Sequence, residues 1–168
     1  MQLSIDPPSW MGDRCMPMDI FAKRAEALAM VALTGLPGVS VSVSDVLPGS
    51  EMDMFVSVGD GRLFGVVVKA RRTGPVAADG FLARDLQRSL KDTVRNATFP
   101  IGVIAVGSDE KMAFGWLASP LKEHGTQLGD LVLPSNIKVE AATVTRLKRA
   151  VREVKRWYDS RNGPGTSL

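Results

Sequence analysis

Two apolar runs, LFGVVVKA at residues 63–70 and FPIGVIAVG at 99–107, constrain this chain more than any other feature. Side chains alternate across a strand, so a run that is apolar at odd and even positions alike has no face to give to water. Each run is therefore expected as an interior strand of a sheet with helices packed on both faces. Three amphipathic segments can do the covering. IFAKRAEALAMVAL, with Asp19 as its cap, brings Phe21, Ala25, Leu28, Ala29 and Ala32 to one side. A helix over about FLARDLQRSLKDTVRNA, residues 81–97, sets Leu82, Leu86 and Leu90 opposite its charges. ATVTRLKRAVREVKRWYDS spaces Val144, Leu147, Val151, Val154 and Tyr158 by 3, 4, 3 and 4 residues, a helical seam.

The remaining strands read by alternation. VSVSVSDV puts valines on one face and serines on the other, and MDMFVSV follows in the same style. GDGR supplies the glycines of a tight hairpin into LFGVVVKA. MAFGWLA is expected to pair with the second apolar run through the turn SDEK, and NIKVE suits a short strand. The order is helix, three strands, helix, strand, then a hairpin strand and a terminal helix. The expected fold class is α/β, three layers around a central mixed sheet in the order α-β-β-β-α-β, with an added C-terminal helix. Residues 1–17, with Pro7, Pro8 and Pro17, read as an irregular arm that tucks Trp10 onto the body. Residues 18–160 read as one domain and 161–168 as a flexible tail.

Composition removes several function classes. With 168 residues, 45% of them hydrophobic, the chain is long enough for one well-filled core. No stretch has the roughly 18 to 20 uninterrupted apolar residues of a membrane span. The first residues, MQLSIDPPSW, do not resemble a secretory signal, so a cytoplasmic address is expected. Cys15 and His124 are each the only residue of their type. That excludes an intramolecular disulfide and the paired ligands of a zinc site. It also leaves a Ser-His-Asp mechanism dependent on KEHGTQ, with no nucleophile elbow in the sequence. GDGRLFG joins strand to strand and opens no helix, so it is not a phosphate-cradling loop.

What remains is a constellation at one end of the strands. Asp53, Phe55 and Ser57 share one strand face; Leu63, Gly65, Val67 and Lys69 share a face of the next. A hairpin turning near Asp60 and Gly61 makes Asp53 and Lys69 neighbours, opposite each other across the pair. Two meanings stand side by side. A carboxylate and an ammonium at the mouth of a cleft suit phosphodiester chemistry with Mg²⁺, which prefers oxygen ligands. An acid at a strand's start and a lysine at its end are also ordinary exits to solvent. A second carboxylate would help to hold Mg²⁺, and Glu26, among the small residues of KRAEALAM, is the candidate.

Over residues 19 to about 117 the sequence resembles the restriction-endonuclease-like PD-(D/E)XK nuclease superfamily, in particular its small bacterial branches. The resemblance lies in the helix with Glu26, the hairpin with Asp53, the strand VVVKA ending in Lys69, the amphipathic helix and the FPIGVIAVG strand. It implies Asp53 and Glu26 as metal ligands, Lys69 as the catalytic lysine and Mg²⁺ as the metal. It also implies DNA, or RNA, as the substrate, in a bacterial defence or mobile-element setting. Val67 stands where the family has a second acid. Glu26 or Glu51 would have to supply what Val67 cannot, or else the chain is a catalytically silent member that binds nucleic acid or serves as a subunit of a larger complex.

Basic residues add candidate partner surfaces. Arg84, Arg88, Lys91 and Arg95 stack on one side of the middle helix, and with Arg71 and Arg72 they could follow a phosphate backbone. Asp85 and Asp92 beside them equally suit an ordinary solvated face. Net charge is +3, with seven Lys/Arg against two Asp/Glu from residue 141 onward and 14 against 16 before it. The last helix thus carries the excess positive charge. Its seam and its Trp157 and Tyr158 suit a homodimer, stacking on bases, or simple attachment to the body. A homodimeric interaction protein with an acidic partner is the third functional reading.

Overall fold

The computed structural model describes residues 19–44, 52–76, 80–123 and 130–162. The expected arm and its Trp10, and Cys15, Glu51, His124 and residues 163–168, lie outside them. In chain order the elements are α1 (Ile20–Thr34), β1 (Ser40–Val43), β2 (Met54–Ser57), β3 (Leu63–Ala70), α2 (Arg84–Val94), β4 (Ile101–Val106), β5 (Met112–Ala118), β6 (Val139–Ala141) and α3 (Val144–Asn162). The six strands lie side by side in sequence order. Every neighbouring pair is antiparallel except β3 and β4, which run parallel. Two parallel strands cannot be joined by a hairpin, and α2 is the crossover that returns the chain. The sheet is mixed, as expected, with the two apolar runs at its centre.

Helices cover both faces. On one, Ala25, Ala29 and Leu33 of α1 and Leu147, Ala150 and Val154 of α3 pack with Val56, Phe64, Val66, Ile104 and Phe114. On the other, Leu90 and Val94 of α2 pack with Val67, Ile101, Val103 and Leu117. Full burial of a leucine such as Leu90 or Leu147 is worth about 1.5–3 kcal/mol. The seam of α3 is therefore spent on this chain's own core. Val144, at the start of that seam, is 61% exposed. Trp157 is buried, with Nε1 donating to the Asp130 carbonyl at 3.3 Å, and the Tyr158 hydroxyl donates to the Leu63 carbonyl at 2.9 Å. Attachment to the body, not base stacking, is what these two aromatics do here.

Local chemistry sets the element ends. The Asp19 carboxylate accepts from the backbone amides of Phe21 and Ala22 at 3.1 and 3.3 Å, capping α1 as expected. The hairpin between β2 and β3 turns through Asp60 (φ 54°) and Gly61 (φ 70°), the paired positive φ angles that a twisted two-residue loop requires. The middle helix is shorter than the 81–97 expected. Phe81 bridges to Lys138 and the Leu82 amide donates to the Ile137 carbonyl at 3.1 Å, so that stretch pairs with the sheet's periphery before the helix begins. At the other end, α3 continues through Arg161 and Asn162, two residues past the boundary read from the sequence.

One glycine has a packing role that only the neighbouring strand explains. A Cβ on Gly115 would sit 2.5 Å from the Lys138 carbonyl oxygen and 2.9 Å from Val139 Cγ1. The β5–β6 pairing therefore requires a bare backbone at this position. Gly115→Ala is expected to destabilise the fold by about 1–3 kcal/mol, the usual range for overpacking, read as a lower denaturant midpoint at unchanged slope.

Among the described residues, no helix is long and apolar enough to cross a membrane.

Candidate functional site

The site begins with the way β2 leaves the sheet. The regular register ends at Met54 opposite Val66. At Asp53 the backbone splits its bonds: its amide donates to the Val66 carbonyl at 3.0 Å, and its carbonyl accepts from Ser44 at 2.9 Å. In β3 the amides of Gly65 and Arg71 point to the β4 side, bonding Pro100 and Val106, so the alternate amides, including that of Val68, point to β2. Here β2 has ended, and the Val68 amide would be left on an open edge. The Asp53 carboxylate takes its place, accepting that N–H through Oδ2 at 2.6 Å. Asp53 is half-buried, not sealed in the interior.

This geometry corrects one expectation. Asp53 and Lys69 are not a register pair: the paired register ends at Met54 opposite Val66, the Asp53 amide bonds the Val66 carbonyl, and the Asp53 carboxylate meets the amide of Val68, the residue before Lys69. The lysine is half-buried, and its backbone pairs with Ala105 of β4. Glu26 comes from α1, on the other side of the sheet. Its side chain is 26% exposed and ion-pairs with Lys23 at 2.9 Å. Because the Asp53 carboxylate lies in the sheet plane, bonded to a strand amide, charges from both faces act on it. Burial raises its pKa above the ordinary value; the Val68 hydrogen bond pulls it down, Glu26 pushes it up, and Lys69 and Lys23 pull it down. Of the three residues singled out in the sequence, Asp53 and Lys69 lie at the same end of the β2–β3 pair, where the Asp53 carboxylate bonds the amide preceding Lys69, and Glu26 comes from the helix over one face of the sheet.

Lys23 was not among the expected site residues. The signal was available: in KRAE, Lys23 and Glu26 stand three apart, which places them together on a helix surface. Its bearing on Asp53 is a tertiary fact.

The arginines divide into two sets. Arg71 donates to the carbonyls of Pro75 and Val76 at 2.7 and 3.3 Å. Arg72 pairs with Asp19 at 3.2 Å and lies 6.0 Å from the Phe21 ring centroid. The first effect of these two is to shape the loop after β3 and fasten it to the start of α1. The Arg72 hydrogen bond is also the chief cause that holds the Asp19 pKa below its ordinary value. Arg84, Arg88, Lys91 and Arg95 are exposed on the outer side of α2, across the sheet from α1. They form the stripe read from the sequence, but they do not continue the surface that carries Glu26. A groove of about 290 Å³ beside α2, lined by Leu90, Val94, Leu117 and Ile137 with Lys91 and Arg95, lies toward the Ile101 end of β4, away from Lys69.

The donor set is two carboxylates. Among the described residues no group of three His, Cys, Asp or Glu side chains converges as metal ligands. Mg²⁺ keeps most of its waters and is commonly held by one or two carboxylates together with substrate phosphate, so Glu26 and Asp53 fit a hydrated Mg²⁺ and not a closed protein cage. Val67 cannot contribute. It is 0% exposed, packed with Leu90, Val94 and Val103 under α2.

Burial of Asp53 has a stability consequence. Its folded-state pKa is raised, so its contribution to stability is present in acid and lost as pH rises through that value. Near neutral pH the ionised carboxylate therefore weighs against the fold. Asp53→Asn keeps an oxygen for the Val68 amide and removes the charge. It is expected to stabilise the protein at pH 7 by about 0.5–1 kcal/mol, the lower part of the range for stabilising substitutions. The advantage should shrink as the pH falls toward the ordinary aspartate pKa of 3.8, which thermal melts across pH would show.

The α-β-β-β-α-β order, the mixed sheet with its single parallel pair and the added terminal helix define the class as α/β, a mixed sheet covered by helices on both faces. No protein-family model matches the sequence, and none of the curated proteins does. Among solved structures the chain is similar to that of Hjc, a Holliday junction resolvase from the hyperthermophilic archaeon Archaeoglobus fulgidus. The two are 17% identical with a TM-score of 0.38, over 74% of this chain and 92% of that one. So distant a likeness adds nothing to what the strand order already defines.

Proposed function

We propose that this chain is a nuclease-like protein that acts on DNA at the cluster formed by Glu26, Asp53 and Lys69. The observation that carries the proposal is the placement of Asp53: its half-buried carboxylate accepts from the Val68 amide at 2.6 Å, one residue before Lys69, where β2 leaves the sheet. Glu26 and Asp53 would hold Mg²⁺, which when bound offsets phosphate charge and lowers the pKa of a coordinated water. Lys69, the nearest strand cation, orients the attacking water and stabilises the negative charge that develops on the phosphoryl oxygens. Arg71 and Arg72, exposed at the end of the same strand, add positive potential along the approach, as does the α2 stripe for a duplex that reaches around the domain edge. The resemblance of the sequence to the nuclease superfamily supports a setting in bacterial defence or on a mobile element, with RNA as the alternative substrate.

The test is incubation of the purified chain with supercoiled and linear DNA, and with RNA, in Mg²⁺, in Mn²⁺ and in chelator. Metal-dependent strand cleavage that disappears in chelator supports the proposal; no cleavage under any condition sinks the hydrolytic part.

A second reading is favoured by Val67. With the position of the family's second acid filled by a fully buried valine, the same surface suits a catalytically silent nucleic-acid binder or a subunit of a larger assembly. That protein would bind DNA with steep salt dependence and without a metal requirement, and it would cut nothing.

A further inference from the structure

We propose that the open edge of β1 pairs with the same edge of a second copy of this chain, antiparallel about a two-fold axis at Ser42, so that two sheets join into one.

The backbone bonds leave that edge free. The Ser44 amide donates to the Asp53 carbonyl at 2.9 Å, and the β1–β2 register runs unbroken from Val43 opposite Met54 to Ser40 opposite Ser57. Residues of an antiparallel strand turn their N–H and C=O groups to alternate sides, so Ser40, Ser42 and Ser44 bond β2 while Val41 and Val43 aim theirs outward. β1 is the outermost strand, and among the described residues none pairs with its outer side. The opposite edge of the sheet is different. There the Val139 amide of β6 donates to the Gly80 carbonyl at 2.8 Å and Phe81 bridges to Lys138, so this chain covers that edge itself.

Nothing in β1 discourages a partner. Exposed edges are commonly guarded by lysine, proline or a bulge, and SVSV has none of these. From Ala27 to Ser44 the sequence carries no charged residue at all, yet Val31 on α1 is 72% exposed and Val43 is 44% exposed.

The same features choose the occupant. An interface that meets itself about a two-fold sets groups near their own mates, where any charge would oppose a like charge; this stretch has none to oppose. With Ser42 against its mate, Val41 falls opposite the partner's Val43, and each such pair exchanges both of its N–H···O bonds. Valines then meet valines on the α1 side, where half-buried Val41 already packs with the core, and serines meet serines on the other face. By strand rise and spacing the two Asp53 residues of such a dimer would lie about 20 Å apart on one continuous sheet. On the nuclease reading given above, that offers two sites to one duplex. The dimer itself does not depend on that reading.

The experiment is analytical sedimentation of the full chain over a range of concentrations, which reads mass whether or not DNA is cut. It compares wild type, Ser42→Lys, Ser42→Glu, an equal mixture of those two, Val43→Pro and Val144→Lys. Wild type is expected to pass from monomer to dimer mass as concentration rises. Ser42→Lys and Ser42→Glu each set like charges across the axis, on Cα atoms about 4.5 Å apart, and should weaken dimerisation about 10-fold or more; their mixture should restore it. Val43→Pro removes an outward N–H that β2 does not use and should weaken it as well. Val144→Lys, a charge on the exposed start of α3, should leave it unchanged. Circular dichroism melts near that of the wild type would show that the variants are folded, as the exposure of Ser42 and Val43 leads one to expect. A wild type that stays monomeric throughout overturns the inference, as does a dimer indifferent to both Ser42 variants and to Val43→Pro. A mixture no better than its components overturns the axis at Ser42. Loss of the dimer in Val144→Lys alone moves the interface to α3 and overturns it too.

Discussion

Lys69→Ala is expected to lower metal-dependent DNA cleavage by about 100-fold or more, the scale seen when a single preorganised donor to transition-state charge is removed. The fold should tolerate the change. Lys69 is half-buried at the end of β3, its backbone bonds to β4 are independent of the side chain, and no core cluster includes it. A circular dichroism melt near that of the wild type, together with lost cleavage, is the expected pair of results. Cleavage that survives Lys69→Ala would exclude the proposed chemistry, and the silent-binder reading predicts that there is no cleavage to lose. Binding of uncut DNA separates the two further. Removing one cation from a phosphate surface weakens binding modestly and lowers its salt slope by about one, whatever the substrate's sequence.

The largest effect on stability is expected from the other side of the molecule. Arg146 at the start of α3 is 93% buried by its side chain, which is 7% exposed, and its guanidinium lies 4.7 Å from the centroid of the Phe114 ring. Burial pulls its pKa down, and Glu153 and Glu140 push it back up. Glu153, 11% exposed, accepts from Arg146 Nη1 at 3.5 Å and from Trp116 Nε1 at 2.9 Å. Arg149 links Glu140 to the same group. Glu153→Ala would leave a buried cation with one remaining counter-charge and a buried indole N–H with none. Loss of one member of a buried pair costs about 3–5 kcal/mol, and the lower figure suits a glutamate that retains some exposure. For a chain of this length about 3 kcal/mol is a fall of about 6 to 12 °C in Tm. A double change, Glu153→Ala with Arg146→Met, should recover much of the loss, because it is the unpaired charge that is expensive and not the absence of the pair. If the single and double variants melt alike, packing of the helix and not the charge network holds α3.

The same network explains why the basic character of the last helix says less about partners than the sequence implied. Of its cations, Arg146 is buried and Arg149 is paired, and Arg161 lies 4.7 Å from the Trp157 ring centroid. Charge in a sequence marks what a helix can offer to solvent; here part of it is used to seat the helix on the sheet.

Sequence alone determined the elements whose information is local. The α1 cap at Asp19, the positive-φ hairpin at Asp60 and Gly61, and the helical seam from Leu147 to Val154 each follow from a few consecutive residues and their period. The apolar runs at 63–70 and 99–107 placed β3 and β4 at the centre of the sheet, because nothing else could cover both of their faces. Glu26, Asp53 and Lys69 were legible as chemical types in suggestive places. Tertiary structure decided what depends on partners distant in the chain: that β2 stops at Met54 and leaves the Val68 amide to the Asp53 side chain, that Val67 is buried under α2, and that Leu147, Val151 and Val154 of α3 close on this chain's own core. Register and side-chain charge fields are set by contacts across strands and layers, where a shift of one residue turns a side chain to the other face, and no period within a single segment records that choice.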